Sequence, residues 1–345
     1  MAGAVLKVAV RRVLQIVPIL FGLSILVFAW VRALPGDPSA ALLASGNGTA
    51  DPTVTREAAV EVRRLYGLDR PLHRQYLSWL GRTARLDFGQ SITTRQDVSS
   101  ELCRRFPATV ELSLAALVLT VGVGVPLGFA SARRAHGWFD HLSLGACLVG
   151  VSIPIFFLAF VLKYVFSVKL GWLPSVGRLD VTRDTSHPTG LYVVDALVTL
   201  DRGALVDALR HLVLPAVALA SVPGAFVARI TRAAVMDVTG DDYVRTAKAK
   251  GMSERVVGRR HVLRNALLPV TTIVGLITGF LLSGTVLVEI VFAWGGIGTF
   301  LQQAVSDRDY PVLQAGVLFV AVVFILVNLL VDLAYAALDP RVRIR

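Results

Sequence analysis

The chain has 345 residues, 54% of them hydrophobic, and a mean hydropathy of +0.65. That is more apolar surface than an ordinary soluble domain can cover, so a soluble globular protein is excluded and an all-α, polytopic membrane protein is expected. The net charge of +11 and pI near 10.2 would suit nucleic acid, but Lys and Arg fall in blocks between apolar runs. That is the pattern of a membrane topology signal, and no nucleic-acid partner is expected.

A bilayer span needs about 20 predominantly apolar residues. Six stretches approach that length: 13–31, 109–132, 142–168, 212–228, 267–288 and 312–338. Lys7, Arg11 and Arg12 precede the first and give it the look of a signal peptide. Its apolar run is too long for a typical signal, and no Ala-x-Ala site follows before Pro35-Gly36-Asp37-Pro38, so it reads as a retained anchor. Residues 39–52 are rich in Gly, Ser and Ala and read as a linker. A helix from Thr55 to Tyr66, stopped at Gly67, and a second over 72–86 are then expected. Cys103 and Cys147 fall outside and inside an apolar run respectively, which supports neither a disulfide framework nor a thiolate metal site. The fourth span is short and carries Pro215 and Pro223; with Pro18, Pro126 and Pro154 these are expected kinks. Near the end, Ile297, Phe300, Leu301, Ala304 and Val305 have helical spacing, fitting either an interfacial helix anchored by Trp294 or a helix packed in the core.

Lys and Arg resist translocation, and their position assigns the sides. Arg11 and Arg12, Arg133 and Arg134, and Arg341, Arg343 and Arg345 place both termini and the 229–267 loop in the cytoplasm. The chain then divides into an N-terminus and first helix (1–31), an extracytoplasmic region (32–108), a transmembrane core (109–338) and a tail (339–345).

Between Arg245 and Arg264 stand seven Lys and Arg residues and one Glu. Asp242 can cap a short helix, Lys248 and Lys250 complement its dipole, and Gly251 can end it in a left-handed conformation. Ser253 can cap a second helix running to about Leu267, with Pro269 marking entry to the fifth span. The small residues Ala247, Ala249 and Gly251 leave backbone open near the bend, as a surface that fits a partner's groove requires. Anionic lipid headgroups would also explain the charge of this loop, though not the order of cap, bend and small residues.

Tyr243-Val244-Arg245-Thr246-Ala247-Lys248-Ala249-Lys250-Gly251, followed by Arg264-Asn265-Ala266-Leu267-Leu268-Pro269, resembles the EAA loop of ABC importer permeases in its oligopeptide and dipeptide form. Leu34-Pro35-Gly36-Asp37-Pro38, Tyr66-Gly67-Leu68-Asp69-Arg70-Pro71-Leu72, Asp87-Phe88-Gly89-Gln90-Ser91, Lys169-Leu170-Gly171-Trp172-Leu173-Pro174, Asp307-Arg308-Asp309-Tyr310-Pro311 and Leu338-Asp339-Pro340-Arg341 resemble further stretches of that family's first permease subunit. The resemblance implies the type I ABC importer permease fold with six spans in a bacterial plasma membrane. It implies a second homologous permease, two cytoplasmic ATPases holding ATP and Mg, and an extracytoplasmic peptide-binding protein; the outer region reads either as a dock for that protein or as a structural element packed over the bundle. Tyr243, Arg245, Ala247, Lys248, Ala249, Gly251, Met252 and Ser253 would be the ATPase-coupling residues. Three departures are visible: Arg245 stands where the general motif has Glu, the spacing from Gly251 to Leu268-Pro269 is longer than in sugar permeases, and Trp294-Gly295-Gly296 stands where Trp-Pro-Gly is common.

Apart from the resemblance, the chain contains no Gly-Lys dipeptide and hence no phosphate-cradling loop with its lysine, so it is not expected to bind nucleotide or any cofactor itself. A proton-driven carrier would need ionisable residues deep in the spans. Glu111, Glu289 and Lys163 lie near span ends, leaving Asp332 and Asn328, for which an interhelical hydrogen bond is the simpler role. Ser24, inside the first span, invites comparison with an intramembrane serine protease, but no His lies at membrane depth to serve as its base, and no metal-ligand spacing appears.

Overall fold

The computed structural model describes residues 2–33, 69–180, 188–283 and 285–338, with side chains over 14–33, 69–180, 188–281 and 285–331. Every regular element among them is helical. In chain order these are α1 (Ala2–Ala33), α2 (Leu72–Thr83), α3 (Val98–Arg133), α4 (Trp138–Ser152) and α5 (Ile155–Leu162), which continues as a π-helical segment π1 (Lys163–Lys169). Then come α6 (Tyr192–Val198), α7 (Arg202–Thr239), α8 (Asp242–Ala249), α9 (Glu254–Val256), π2 (Val257–Leu263), α10 (Arg264–Ser283), α11 (Val286–Phe292), α12 (Ile297–Asp307) and α13 (Tyr310–Leu338). The predicted linker 39–52, the predicted helix 55–66, the Pro35-Gly36-Asp37-Pro38 motif and the tail 339–345 lie outside the described residues.

Among the described residues, five helical stretches are long and apolar enough to cross a membrane: 14–33, 98–133, 202–239, 254–281 and 310–331. The expected third span is not one rod. Pro154 donates no amide and forces Ile153 into an extended conformation (φ −84°, ψ 124°), so α4 and the α5–π1 helix meet at a break and bend by 104°. Counting that broken pair gives six; α11 and α12 form a second bent pair that passes the same test, so the described residues hold five to seven candidate spans, consistent with the six expected. The fourth span is corrected in the opposite sense: the short stretch 212–228 is the middle of a 38-residue helix, α7, which buries both Pro215 and Pro223 without stopping. At 1.5 Å per residue α7 is roughly 57 Å long, well beyond the ~30 Å of a bilayer core. Asp201 starts it, its side chain accepting the amide of Ala204 at 2.9 Å. The fifth span also starts earlier than expected, because Pro269 lies inside α10 and marks no boundary.

The described residues form two compact units, one within 1–107 with 296–329 and the other within 108–295 with 330–338. In the first, Val27 and Val31 of α1, Val98 and Leu102 of α3, Phe300 of α12 and Leu313 of α13 form one core, and Phe28, Trp79 and Leu318 form a second. A short outer segment is stitched to the start of α13: the Ser91 hydroxyl donates to Asp309 Oδ2 at 2.5 Å, and the Thr93 amide donates to the same oxygen at 3.2 Å. Ile297, Phe300 and Ala304 of α12 are buried and Leu301 is half-buried against the same core, as core packing requires, while Val305 is 48% exposed.

In the second unit α7 is the central member, packed against α4, α5, α6 and α10. Lipid tails are as apolar as Leu, so helices in a bilayer gain most from close packing, which small residues allow. Gly124 and Gly128 of α3 serve this: a Cβ on Gly124 would lie 2.9 Å from the carbonyl oxygen of Gly224, and one on Gly128 would collide with that of Ala228. Trp294 was a possible interfacial anchor; it is instead 2% exposed, and its indole N–H donates to the carbonyl of Ala108 at 2.8 Å.

Candidate functional site

The α8 helix begins one residue earlier than predicted, with Asp241 in the capping position (φ −68°, ψ 147°) and Asp242 as its first helical residue. No Asp241 side-chain capping bond forms; Asp242 instead meets Arg245 at 3.6 Å on the exposed surface. The far end is as predicted. Gly251 has φ +77°, its amide donates to the carbonyl of Lys248 at 2.9 Å, and the amide of Met252 donates to that of Ala247 at 3.3 Å. These two bonds make a Schellman ending, in which a left-handed residue turns the chain back over the last helical carbonyls. The chain re-enters a helix at once through Ser253 (φ −64°, ψ 147°), whose side chain makes no capping bond. That second helix does not stop near Leu267 as expected; it runs through π2 into α10.

Burial sorts the loop residues into two groups. Val244 and Ala247 are buried against Ala234 and Val235 of α7, Val257 and Val262 of π2 and Ala266 of α10, with Met252, Phe129 and Ala132 at the margin. Tyr243, Arg245, Lys248, Ala249, Gly251 and Ser253 are exposed. Of the predicted coupling residues, Ala247 therefore fastens α8 to the bundle, Met252 is half-buried beside it, and the other six lie on the open face. Tyr243 is fixed from the side: the Asn265 amide donates to its hydroxyl at 2.8 Å and to the carbonyl of His261 at 2.9 Å.

A clamp that sequence reasoning missed stands behind this loop. Asp140, 1% exposed at the start of α4, receives Arg232 Nε at 2.6 Å and Nη2 at 2.7 Å, the Ser131 hydroxyl at 2.5 Å and the His136 amide at 2.9 Å. Such a bidentate pair fixes orientation as well as distance. It fastens the α3–α4 turn to the last part of α7, which leads directly into α8. The available signal was an isolated acid in the first turn of an apolar helix; its partner, 92 residues away, had none.

Three of the ionisable residues considered for a carrier, Glu289, Glu111 and Lys163, have structural partners. Glu289 is fully buried and accepts the Thr109 hydroxyl at 2.7 Å. Glu111 is paired with Arg178 at 2.5 Å, and Lys163 donates to the carbonyl of Val291 at 2.7 Å rather than reaching for headgroups. Asn328 is half-buried, and the side chain of Asp332 lies outside the described residues. The Ser24 hydroxyl is held by the carbonyl of Phe21 at 2.7 Å and the Tyr76 hydroxyl at 2.9 Å, an arrangement that supplies no base. Among the described residues no His, Cys, Asp and Glu cluster could hold a metal ion.

Comparison with known proteins agrees with this arrangement. Residues 124–344 match the family described as binding-protein-dependent transport system inner membrane component, and residues 5–113 match the N-terminal region of such components. The chain is 45% identical to the di/tripeptide transport system permease protein DppB of Pseudomonas aeruginosa (strain UCBPP-PA14), over 96% of this chain and 97% of that protein. It is 40% identical to the dipeptide transport system permease protein DppB of Escherichia coli (strain K12), covering 98% and 99%. It is 39% identical to the glutathione transport system permease protein GsiC of the same strain, over 98% and 99%. The chain is a multi-pass membrane protein and a transport subunit rather than an enzyme, and it belongs to the binding-protein-dependent transport system inner membrane component family.

Proposed function

We propose that this chain is a permease subunit of an ATP-driven importer that passes short peptides from an extracytoplasmic binding protein into the cytoplasm. The observation that carries the mechanism is the short helix α8 with its Schellman ending, which buries Val244 and Ala247 and turns Tyr243, Arg245, Lys248, Ala249, Gly251 and Ser253 outward. A helix of eight residues is roughly 12 Å long, a size suited to a groove on a partner. In this reading α8 docks on a cytoplasmic ATPase, one of two, which holds ATP and Mg. Because α8 leaves α7 across a one-turn connection and is packed on π2 and α10, a push on α8 is passed to the membrane helices as a rigid displacement.

Peptide cargo is supported by the names of the relatives: two are permeases for dipeptides or di- and tripeptides, and the third carries glutathione, itself a tripeptide. The same reading brings a second homologous permease as heterodimer partner and a plasma-membrane location, with both termini and the α8 loop in the cytoplasm. The chain then needs no cofactor of its own. The test is purification of the tagged chain from its native membrane in mild detergent, followed by reconstitution of what co-purifies and measurement of labelled dipeptide uptake. Recovery of a second permease, two ATPases and ATP-dependent uptake is expected. Recovery of the chain alone, or uptake that persists without ATP, overturns the proposal.

A further inference from the structure

The opposite end of the second unit carries a polar fastening that none of the foregoing uses. Arg178, in the irregular segment after π1, donates through Nη2 to Glu111 Oε2 of α3 at 2.5 Å and to the carbonyl of Gly190 at 2.7 Å. Its guanidinium lies 3.8 Å from the ring centroid of Tyr192 and 5.7 Å from that of Trp294. The other carboxylate oxygen of Glu111 accepts the amide of Val193 at 2.8 Å, and the amide of the neighbouring Gly177 donates to the carbonyl of Phe292 at 2.9 Å. One arginine thus gathers α3, the start of α6, the end of α11 and the irregular segment into a single knot. Both charged side chains are nearly buried, Arg178 at 11% and Glu111 at 8% exposure.

Two features separate this knot from a permanent staple. A buried ion pair gives little net stability over an apolar contact of the same shape, because both charges must be desolvated, yet it has one well-defined closed geometry. Here that geometry is also incomplete, since Arg178 Nε is buried without a hydrogen-bond partner. An unmade bond at a buried donor raises the energy of the closed arrangement and leaves it easier to release. The segment that bears the arginine turns at Gly171, Gly177 and Gly190, whose φ of +63°, +85° and +73° lie in the left-handed region that glycine adopts without strain.

We infer that Arg178 is a positioning residue that latches the extracytoplasmic end of the transport core shut, and that transport requires its pair with Glu111 to part. The inference rests on the importer reading and on the orientation proposed above. Alternating access separates the outer ends of helices while the inner ends close, and every element tied by Arg178 ends on the outer side. The pair is then the discrete contact whose making and breaking distinguishes the two states.

The test uses the complete importer in liposomes, with Cys103→Ser and Cys147→Ser removing the native thiols and Ala108→Cys as reporter. Ala108 is 1% exposed, and its carbonyl receives the Trp294 indole, so a thiol there is shielded while the latch holds. Labelling by a membrane-impermeant maleimide is expected to be slow at rest and at least tenfold faster during ATP-driven uptake. Arg178→Met is expected to give the fast rate at rest and to raise ATP hydrolysis without binding protein, while Arg178→Lys gives an intermediate effect. Two results overturn the inference. One is labelling that stays slow in the unaltered latch while uptake proceeds, a measurement independent of whether any Arg178 variant assembles. The other is an assembled Arg178→Met complex that behaves as the parent does. A complex that takes up no peptide with ATP overturns instead the reading of function beneath it.

Discussion

Gly251 shows how much a single backbone torsion governs. A Cβ at this position meets nothing within 4 Å, so space is available and the restriction is conformational alone, at φ +77°. Gly251→Asn is expected to keep uptake near normal, since Asn tolerates the left-handed region. Gly251→Val costs on the order of 1–3 kcal/mol in the observed conformation, enough to unwind the Schellman ending and re-aim Lys248 and Ala249. ATP hydrolysis that continues while dipeptide uptake falls, at normal membrane levels, is the expected result, and equal uptake in the Val and Asn variants would refute it. Asp140 is the second decisive residue. Removing one partner of a buried, hydrogen-bonded pair typically costs about 3–5 kcal/mol, so Asp140→Ala should lower the thermal midpoint in detergent by many degrees. A double-mutant cycle with Arg232→Ala should show strong coupling, because most of the single-variant penalty is the partner left unpaired.

At the scale of the element, the α3–α7 contact makes a sharp prediction because open and closed glycines share one helix. Gly122 of α3 has nothing within 4 Å of an added Cβ, whereas Gly128 would drive its Cβ into the carbonyl of Ala228 and the Thr231 side chain. Gly122→Ala should therefore be neutral or slightly stabilising, by up to about 1 kcal/mol from helix propensity. Gly128→Ala should push the two helices apart and cut the yield of folded protein; size-exclusion profiles and melting midpoints of the two variants settle the comparison. The broken third span belongs to the same scale. Its apolar run is continuous in sequence, but one proline amide is missing and the preceding residue is denied the helical region, so the rod becomes two pieces.

For the molecule as a whole, the proposed orientation can be checked without any assay of transport. In the cysteine-free background, Lys250→Cys is expected to react with an impermeant maleimide only in permeabilised cells, and Trp172→Cys, on a residue 61% exposed, in intact ones. The reverse pattern would invert the chain and put α8 out of reach of any cytoplasmic ATPase. Distribution of charge makes the expected result the natural one: the exposed Arg and Lys of α8 and π2 sit at one end of the long α7–α10 pair, where translocation would be most costly.

The sequence by itself determined the class of this protein, since apolar runs of span length and clustered Arg leave a helical membrane bundle as the only way to satisfy the backbone in lipid. It also determined the local grammar of α8, because a glycine in the left-handed region and small residues before it depend on neighbours a few positions away. The tertiary structure decided what distance along the chain conceals. Val244 and Ala247 turn inward because α7 and π2 offer them a core, which takes Ala247 off the open face of α8. Asp140 meets Arg232, and Glu111 meets Arg178, across 92 and 67 positions, pairings that exist only once helices pack side by side. Pro215, Pro223 and Pro269 end no helix, because neighbouring packing compensates for the single hydrogen bond each one removes.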